Sequence, residues 1–137
     1  MALTHVLDTS VLTRLANPTI RTTVEPRAAA GQLARCGISD LEVGYSARSA
    51  REWDRLADAL ELFALIETTA EHFRRARQVQ RLLASRHQRG RKIPDLLIAA
   101  AAEAANLTVL HYDADFDRIA ALTGQTVEWV VAAGSID

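Results

Sequence analysis

Cysteine and lysine occur once each in this chain of 137 residues, as Cys36 and Lys92, and there are only 3 Pro, 6 Gly, 3 Phe, 2 Tyr and 2 Trp. A lone cysteine closes no intramolecular disulfide and offers no thiolate cluster, which excludes a disulfide-stapled secreted scaffold and a structural zinc site. A reducing cytoplasm is the expected compartment. The longest apolar run, Leu96 to Ala102, falls far short of the ~20 residues that cross a bilayer. Asp8 and Arg14 interrupt the N-terminal apolar residues before they make an export signal, so no membrane partner is expected. With 49% hydrophobic and 24% charged residues the chain is neither low-complexity nor disordered. Its length suits one domain, read here as residues 1–137.

Charge is close to balanced, at a formal net of -1, but it is not evenly spread. Arg74, Arg75, Arg77, Arg81, Arg86, Arg89, Arg91 and Lys92 fall within one stretch that holds no acid, which leaves the rest of the chain acidic. A solvated helix face explains this as well as a polyanion guide does.

Apolar spacing and turn residues give an alternation of strands and helices. Thr4 to Leu7 reads as a strand, followed by a helix carrying Val11, Leu12 and Leu15 that Asn17-Pro18 stops. A helix over Arg21 to Leu33, a short strand Cys36 to Ile38, a helix from Ser39 to Ala47 and another from Ala50 to Phe63 come next. Leu65 to Glu67 is a strand, and Thr68 or Thr69 caps a long helix with Phe73, Ala76, Val79, Leu82 and Leu83 on one face, ended by Gly90. Pro94 opens a helix so apolar between residues 96 and 105 that it must be enclosed. Leu107 to Leu110, Ala114 to Leu122 and Thr126 to Val131 give a strand, a helix ended by Gly124 and a last strand. The pattern predicts an α/β sandwich with a mostly parallel sheet.

Four acids stand at the ends of these elements: Asp8, Glu42, Asp95 and Asp113. Groups just beyond the carboxyl ends of parallel strands converge on one crevice. Crowded carboxylates need a neutralising partner, and a divalent cation with oxygen ligands, Mg²⁺ or Mn²⁺, suits them better than zinc. Each acid also has a purely structural role open to it. Glu42 can complete a capping box with Ser39, Asp95 can meet a helix dipole, Asp113 can cap, and Asp8 can sit in a turn. Capping does not account for all four opening onto one edge.

The runs Val6-Leu7-Asp8-Thr9-Ser10-Val11-Leu12, Ile38-Ser39-Asp40-Leu41-Glu42, Ile93-Pro94-Asp95-Leu96-Leu97-Ile98-Ala99-Ala100 and His111-Tyr112-Asp113-Ala114-Asp115-Phe116-Asp117-Arg118-Ile119-Ala120 together resemble the PIN domain. More closely, they resemble the VapC-type ribonuclease toxins of toxin–antitoxin pairs. The resemblance runs through almost the whole chain in order and spacing. It implies a PIN-like three-layer α/β/α sandwich with a mostly parallel central sheet, one or two Mg²⁺ or Mn²⁺ ions, an RNA substrate, a VapB-like antitoxin and a homodimer. Asp8, Glu42, Asp95 and Asp113 match the family's acidic quartet, with Asp8 and Asp95 the firmest metal ligands and Asp115 a candidate fifth acid. The family often has Thr or Ser where this chain has His111, which is read as a wall residue able to donate toward Asp113. Thr9 or Ser10 is placed to support Asp8 or contact a phosphate.

The activity so implied is metal-assisted endonucleolytic hydrolysis of RNA, leaving a 5′-phosphate and a 3′-hydroxyl. Arg14, Arg91 and Lys92 are the candidate RNA contacts, with the arginine helix as a wider guide and a stem-loop or single-stranded loop as target. So few aromatics leave little for base stacking, and Tyr45, Trp53, Phe63 and Trp129 are read as core or interface. An inhibitor arginine inserted among the acids would compete with the cation. The alternative is a non-catalytic PIN-like module that binds RNA or protein. A phosphoacceptor receiver would need a lysine at its site, and Lys92 lies on a basic loop. A haloacid-dehalogenase-like phosphatase would place an acid two residues after Asp8, where Ser10 stands.

Overall fold

The computed structural model describes residues 2–88 and 92–137. Among the described residues five strands, β1 (His5–Leu7), β2 (Leu33–Cys36), β3 (Ala64–Ile66), β4 (Thr108–His111) and β5 (Val127–Trp129), make one sheet in the order β3-β2-β1-β4-β5. Every pairing is parallel, with Val6 opposite Ala34 and Val109. Seven helices among the described residues connect or follow the strands: α1 (Thr9–Leu12), α2 (Pro18–Ala29), α3 (Gly37–Tyr45), α4 (Ala50–Leu60), α5 (Ala70–Ser85), α6 (Ile93–Ala104) and α7 (Asp115–Thr123). Parallel strands need such crossovers, and the helices cover both faces.

Alternation along the strands divides the core in two. Val6, Ala34, Cys36 and Val109 pack against α5, α6 and α7 through Ala76, Val79, Leu83, Ile98, Phe116 and Ile119. Leu7, Leu33 and Leu110 point the other way, to Val11 on α1, Ile20 and Val24 on α2, and Leu60 and Phe63 around the end of α4. The enclosed helix is α6, buried from Asp95 through Ala102. Each of Leu96, Leu97 and Ile98 contributes roughly 1.5–3 kcal/mol of burial, so Ile98→Ala would cost about 2–5 kcal/mol. This burial fixes α6 with its first turn, and Asp95, at the carboxyl edge of the sheet.

Several boundaries differ from the sequence reading for local reasons. The α2 helix starts at Pro18, where Asn17 Oδ1 accepts the Thr19 and Ile20 N–H groups, and it stops at Ala29 before Gly31 at φ +71°. Leu33 therefore belongs to β2 rather than to the helix. The β2 strand ends at Cys36, so Gly37 and Ile38 are helical and Ser39 lies inside α3 rather than capping it. Thr69 caps α5, with His72 completing the box. His72 takes the buried position expected for Phe73, which is 54% exposed. Tyr45, at 92% exposure, and Trp53 are outside the core, whereas Phe63 is inside it. The turn expected at Gly90 lies outside the described residues, as does Arg91.

Candidate active site

At the carboxyl edge of β1 the chain turns directly into α1, and Asp8 is its N-cap. Asp8 Oδ2 accepts the Ser10 N–H at 2.9 Å, while Oδ1 is buried without a hydrogen-bond partner among the described residues. Capping and ligation are thus not rivals here, because capping occupies one oxygen and leaves the other. Asp95, in the first turn of α6, is 4% exposed, and its Oδ2 also has no hydrogen-bond partner among the described residues. The turn after β4 supplies Asp113, whose Oδ1 accepts the Asp115 N–H at 2.9 Å while Oδ2 lies 3.5 Å from Lys92 Nζ. Asp95, Asp113 and Asp115 each bring a carboxylate oxygen within 4.8 Å of the others. Asp115 is also 3.0 Å from an Arg118 guanidinium nitrogen.

Glu42 approaches from α3. Its partner is not the Ser39 backbone of a capping box but Thr9, whose Oγ1 lies 2.6 Å from Glu42 Oε1 and 2.9 Å from Ser39 Oγ. One hydroxyl has one proton, so Thr9 donates to the carboxylate and accepts from Ser39. Asp8, Glu42, Asp95 and Asp113, with Thr9, Ser10, Arg14, Lys92 and Tyr112, line one polar cavity of about 290 Å³. Arg14 sits on its wall with its guanidinium 5.1 Å from the Tyr112 ring centre, bonded to the Ser10 carbonyl at 2.8 Å and to Asp137 at 2.5 Å.

The acids are poorly compensated. Two ionised carboxylates 4.8 Å apart repel by about 3 kcal/mol at an effective dielectric of ~20. Burial first, and then Asp8 and Asp113, push the Asp95 carboxyl up to about 8, against the opposing pull of Lys92. Burial likewise raises Asp8 above the usual carboxylate range despite its bonds to Ser10. Burial pulls the Lys92 ammonium down, but Asp113, Asp95 and Asp8 outweigh it and leave it raised. Cys36 lies close by, yet burial and then Asp8 and Asp40 hold its thiol near 12, too high for a thiolate ligand. Unpartnered buried oxygens on crowded carboxylates, with no thiolate among them, are a donor set that fits a hard divalent cation.

Sequence reasoning left His111 as a donor toward Asp113, and the bond runs the other way. The Asp113 N–H donates to His111 Nδ1 at 3.2 Å. The part played by Thr9 in holding Glu42 was also missed, because it depends on α3 beginning two residues before Ser39.

Residues 5–122 match the family model described as PIN domain. Over all 137 residues, covering 100% of both chains, the sequence is 65% identical to Ribonuclease VapC51 of Mycobacterium tuberculosis. Ribonuclease VapC21 of the same species is 46% identical over 140 aligned positions, covering 98% of this chain and 99% of the relative. The chain thus belongs to the PIN-domain family and, within it, to the VapC ribonucleases, the toxins of VapBC toxin–antitoxin systems. Among solved structures, VapBC2 of Rickettsia felis, bound to a DNA fragment from its promoter, shares the fold with a TM-score of 0.77 at 21% identity, covering 93% of this chain and 98% of that one. VapBC-5 of Mycobacterium tuberculosis aligns with a TM-score of 0.63 at 25% identity, covering 96% and 98%. Among the described residues, no helix is long and apolar enough to cross a membrane.

Proposed function

We propose that this chain, as one domain, is a Mg²⁺- or Mn²⁺-dependent endoribonuclease that cuts RNA in the cytoplasm and is restrained by a VapB-like antitoxin. The observation that carries this reading is the pair of buried oxygens, Asp8 Oδ1 and Asp95 Oδ2, without a hydrogen-bond partner among the described residues, on two acids that line a cavity together with Glu42 and Asp113. Asp8, Asp95, Asp113 and Asp115 are the residues to hold one or two cations, with Glu42 completing the shell or serving water. A divalent cation supplies Lewis acidity there, offsetting charge that develops on the phosphate and acidifying water.

The chain's own groups do the rest. Thr9 fixes Glu42 through Oε1, leaving Oε2 to take a proton from the attacking water. Water adds to phosphorus, the bond from phosphorus to the 3′ oxygen breaks, and that oxygen takes a proton from solvent as it leaves, giving a 5′-phosphate and a 3′-hydroxyl, while Glu42 returns its proton to solvent. Lys92 stands beside the acids, where a phosphate oxygen can replace Asp113 as its partner. Arg14 on the cavity wall and Arg91 complete the proposed RNA contacts. The related VapBC2 and VapBC-5 complexes support an antitoxin partner here, and the exposed Leu41, Tyr45 and Trp53 support a homodimer or an inhibitor contact.

The test is cleavage of total cellular RNA by antitoxin-free protein with Mg²⁺, with Mn²⁺ and with EDTA, beside Asp95→Asn, with the new ends mapped. Discrete metal-dependent fragments bearing 5′-phosphates and absent from the variant are expected. Intact RNA with folded, cation-loaded protein would overturn the reading in favour of a binding module.

A further inference from the structure

The turn that carries Asp113 is only a few residues long, and its backbone is held by side chains on both sides. The Tyr112 N–H donates to Ser10 Oγ at 2.9 Å, and the next N–H along, that of Asp113, donates to His111 Nδ1 at 3.2 Å. The third tie is Asp113 Oδ1 itself, taking the Asp115 N–H. With those bonds made, Asp113 Oδ2 is the oxygen left on the side of Lys92 and the cavity.

His111 is built for this single task. Its side chain has no exposure at all, and it does not line the acidic cavity. The ring is stacked on Phe116, 5.1 Å between centres at 27°, and tilted against Trp129 at 4.9 Å. Because Nδ1 accepts an N–H it carries no proton, so the neutral ring holds its hydrogen on Nε2. That atom has no hydrogen-bond partner among the described residues, and Asp117 Oδ1 lies 3.8 Å from it. Asp117 is held in turn by Trp129 Nε1 at 3.1 Å. Trp129 and Phe116 thus fix the ring plane, and the ring plane fixes the point at which Nδ1 meets the Asp113 amide. A buried polar ring with one unpartnered nitrogen is a costly way to fill core space, which an apolar side chain would fill without that cost.

We infer that His111 is a positioning residue for the cation site, its Nδ1 acting as the fixed acceptor that sets the Asp113 turn and thereby aims Asp113 Oδ2 into the cavity. The inference rests on the reading of Asp113 as a cation ligand. It separates two properties of the side chain, the ring and the acceptor, which different substitutions remove. His111→Phe keeps a ring between Phe116 and Trp129 and has no acceptor. His111→Asn loses the ring and keeps an oxygen near the place of Nδ1.

The experiment uses the full chain, free of antitoxin, with Mn²⁺ as the probe. Three readouts are taken on wild type and both variants: Mn²⁺ affinity from the signal of the free ion, exchange of the Asp113 amide, and thermal melting. His111→Phe is expected to melt near wild type, to bind Mn²⁺ about 10-fold more weakly, and to exchange the Asp113 amide at least ~10-fold faster. His111→Asn is expected to melt lower yet keep Mn²⁺ affinity within about 3-fold. Wild-type affinity and amide protection in His111→Phe would overturn the inference, as would loss of both in proportion to melting temperature in the two variants. If the Phe variant does not fold, His111→Leu removes the same acceptor and is judged by the same criteria. Wild-type protein that binds no Mn²⁺ would overturn the cation reading instead, and the Asp113 amide would then decide the role of His111 alone.

Discussion

Two carboxylate sites on the same sheet are built in opposite ways. On the α2 face, Glu128 of β5 reaches across β4 to His5 of β1 at 3.1 Å, and its second oxygen takes Arg27 of α2 at 3.1 Å. Burial raises the Glu128 carboxyl, but bonds from His5 and Arg27 outweigh it, and the net shift is downward. At the carboxyl edge Asp95 has, among the described residues, Lys92 set against Asp8, Asp113 and Asp115, and burial and those acids push its carboxyl up to about 8. Both are partly or wholly shielded acids on strands or helices of one core. The difference is whether the fold provides a hydrogen-bond partner for each oxygen, and a buried acid that finds none among the described residues is suited to a ligand from outside the chain.

The largest effect should come from removing the uncompensated charge. Asp95→Asn is expected to lower RNA cleavage by about 10³-fold with the fold intact, whereas Glu128→Gln should leave cleavage nearly unchanged. A Glu128 variant as inactive as the Asp95 variant would erase the contrast.

Next in size is the response of cation-free protein to pH. Asp95 has a folded value above its unfolded one, so the folded state binds the proton more tightly. Its stabilising contribution is complete below about 4 and disappears as pH rises toward about 8. Melting of the EDTA-treated chain should therefore fall across that window, by a few kcal/mol at most, and Asp95→Asn should flatten the decline. Glu128 has the reverse sign, with stability present above its unfolded value and lost on acidification.

A protonated Asp95 must lose its proton to become a ligand. Binding of Mn²⁺ at pH 7 should thus release about one proton, read as a calorimetric enthalpy that changes with the ionisation heat of the buffer. Zero release would contradict the raised carboxyl. Smaller again, Glu128→Gln should cost about 1 kcal/mol or less, since that side chain is 41% exposed and solvent screens its pairs. The smallest expected change is in Lys92→Met, which should reduce the salt slope of RNA binding by just under one unit while leaving melting close to wild type.

Much of this contrast was legible in the residues before the fold was known. Asp8 after a β-prone run, Asp95 after Pro94 and Asp113 after Leu107 to Leu110 mark strand ends and helix starts by chemistry that needs no tertiary information. The enclosed character of α6 was equally plain, because residues 96 to 105 are apolar except for Glu103. What the sequence could not locate was anything fixed by register across space. Cys36 to Ile38 looks extended because Ile38 is β-branched and apolar, yet helix α3 claims it. The Ala28-Ala29-Ala30 run favours continuing α2, while Gly31 in a left-handed conformation stops it. That two-residue difference in where α3 begins is what turns Glu42 away from Ser39 and toward Thr9. Asp115 joins Asp95 and Asp113 only through the turn after β4, and the direction of the His111 bond depends on a backbone amide that no residue pattern reveals.

The double use of Asp8 bears on how such a site would decay over generations. Were selection for catalysis relaxed, position 8 would still need an acceptor to start α1, and an aspartate or asparagine there would persist. Asp95 makes no side-chain cap bond, so its conversion to an asparagine would relieve repulsion without breaking a capping bond. In a descendant of this chain, an intact Asp8 would be a poor witness to activity, and the first substitution to record its loss would be found at the start of α6.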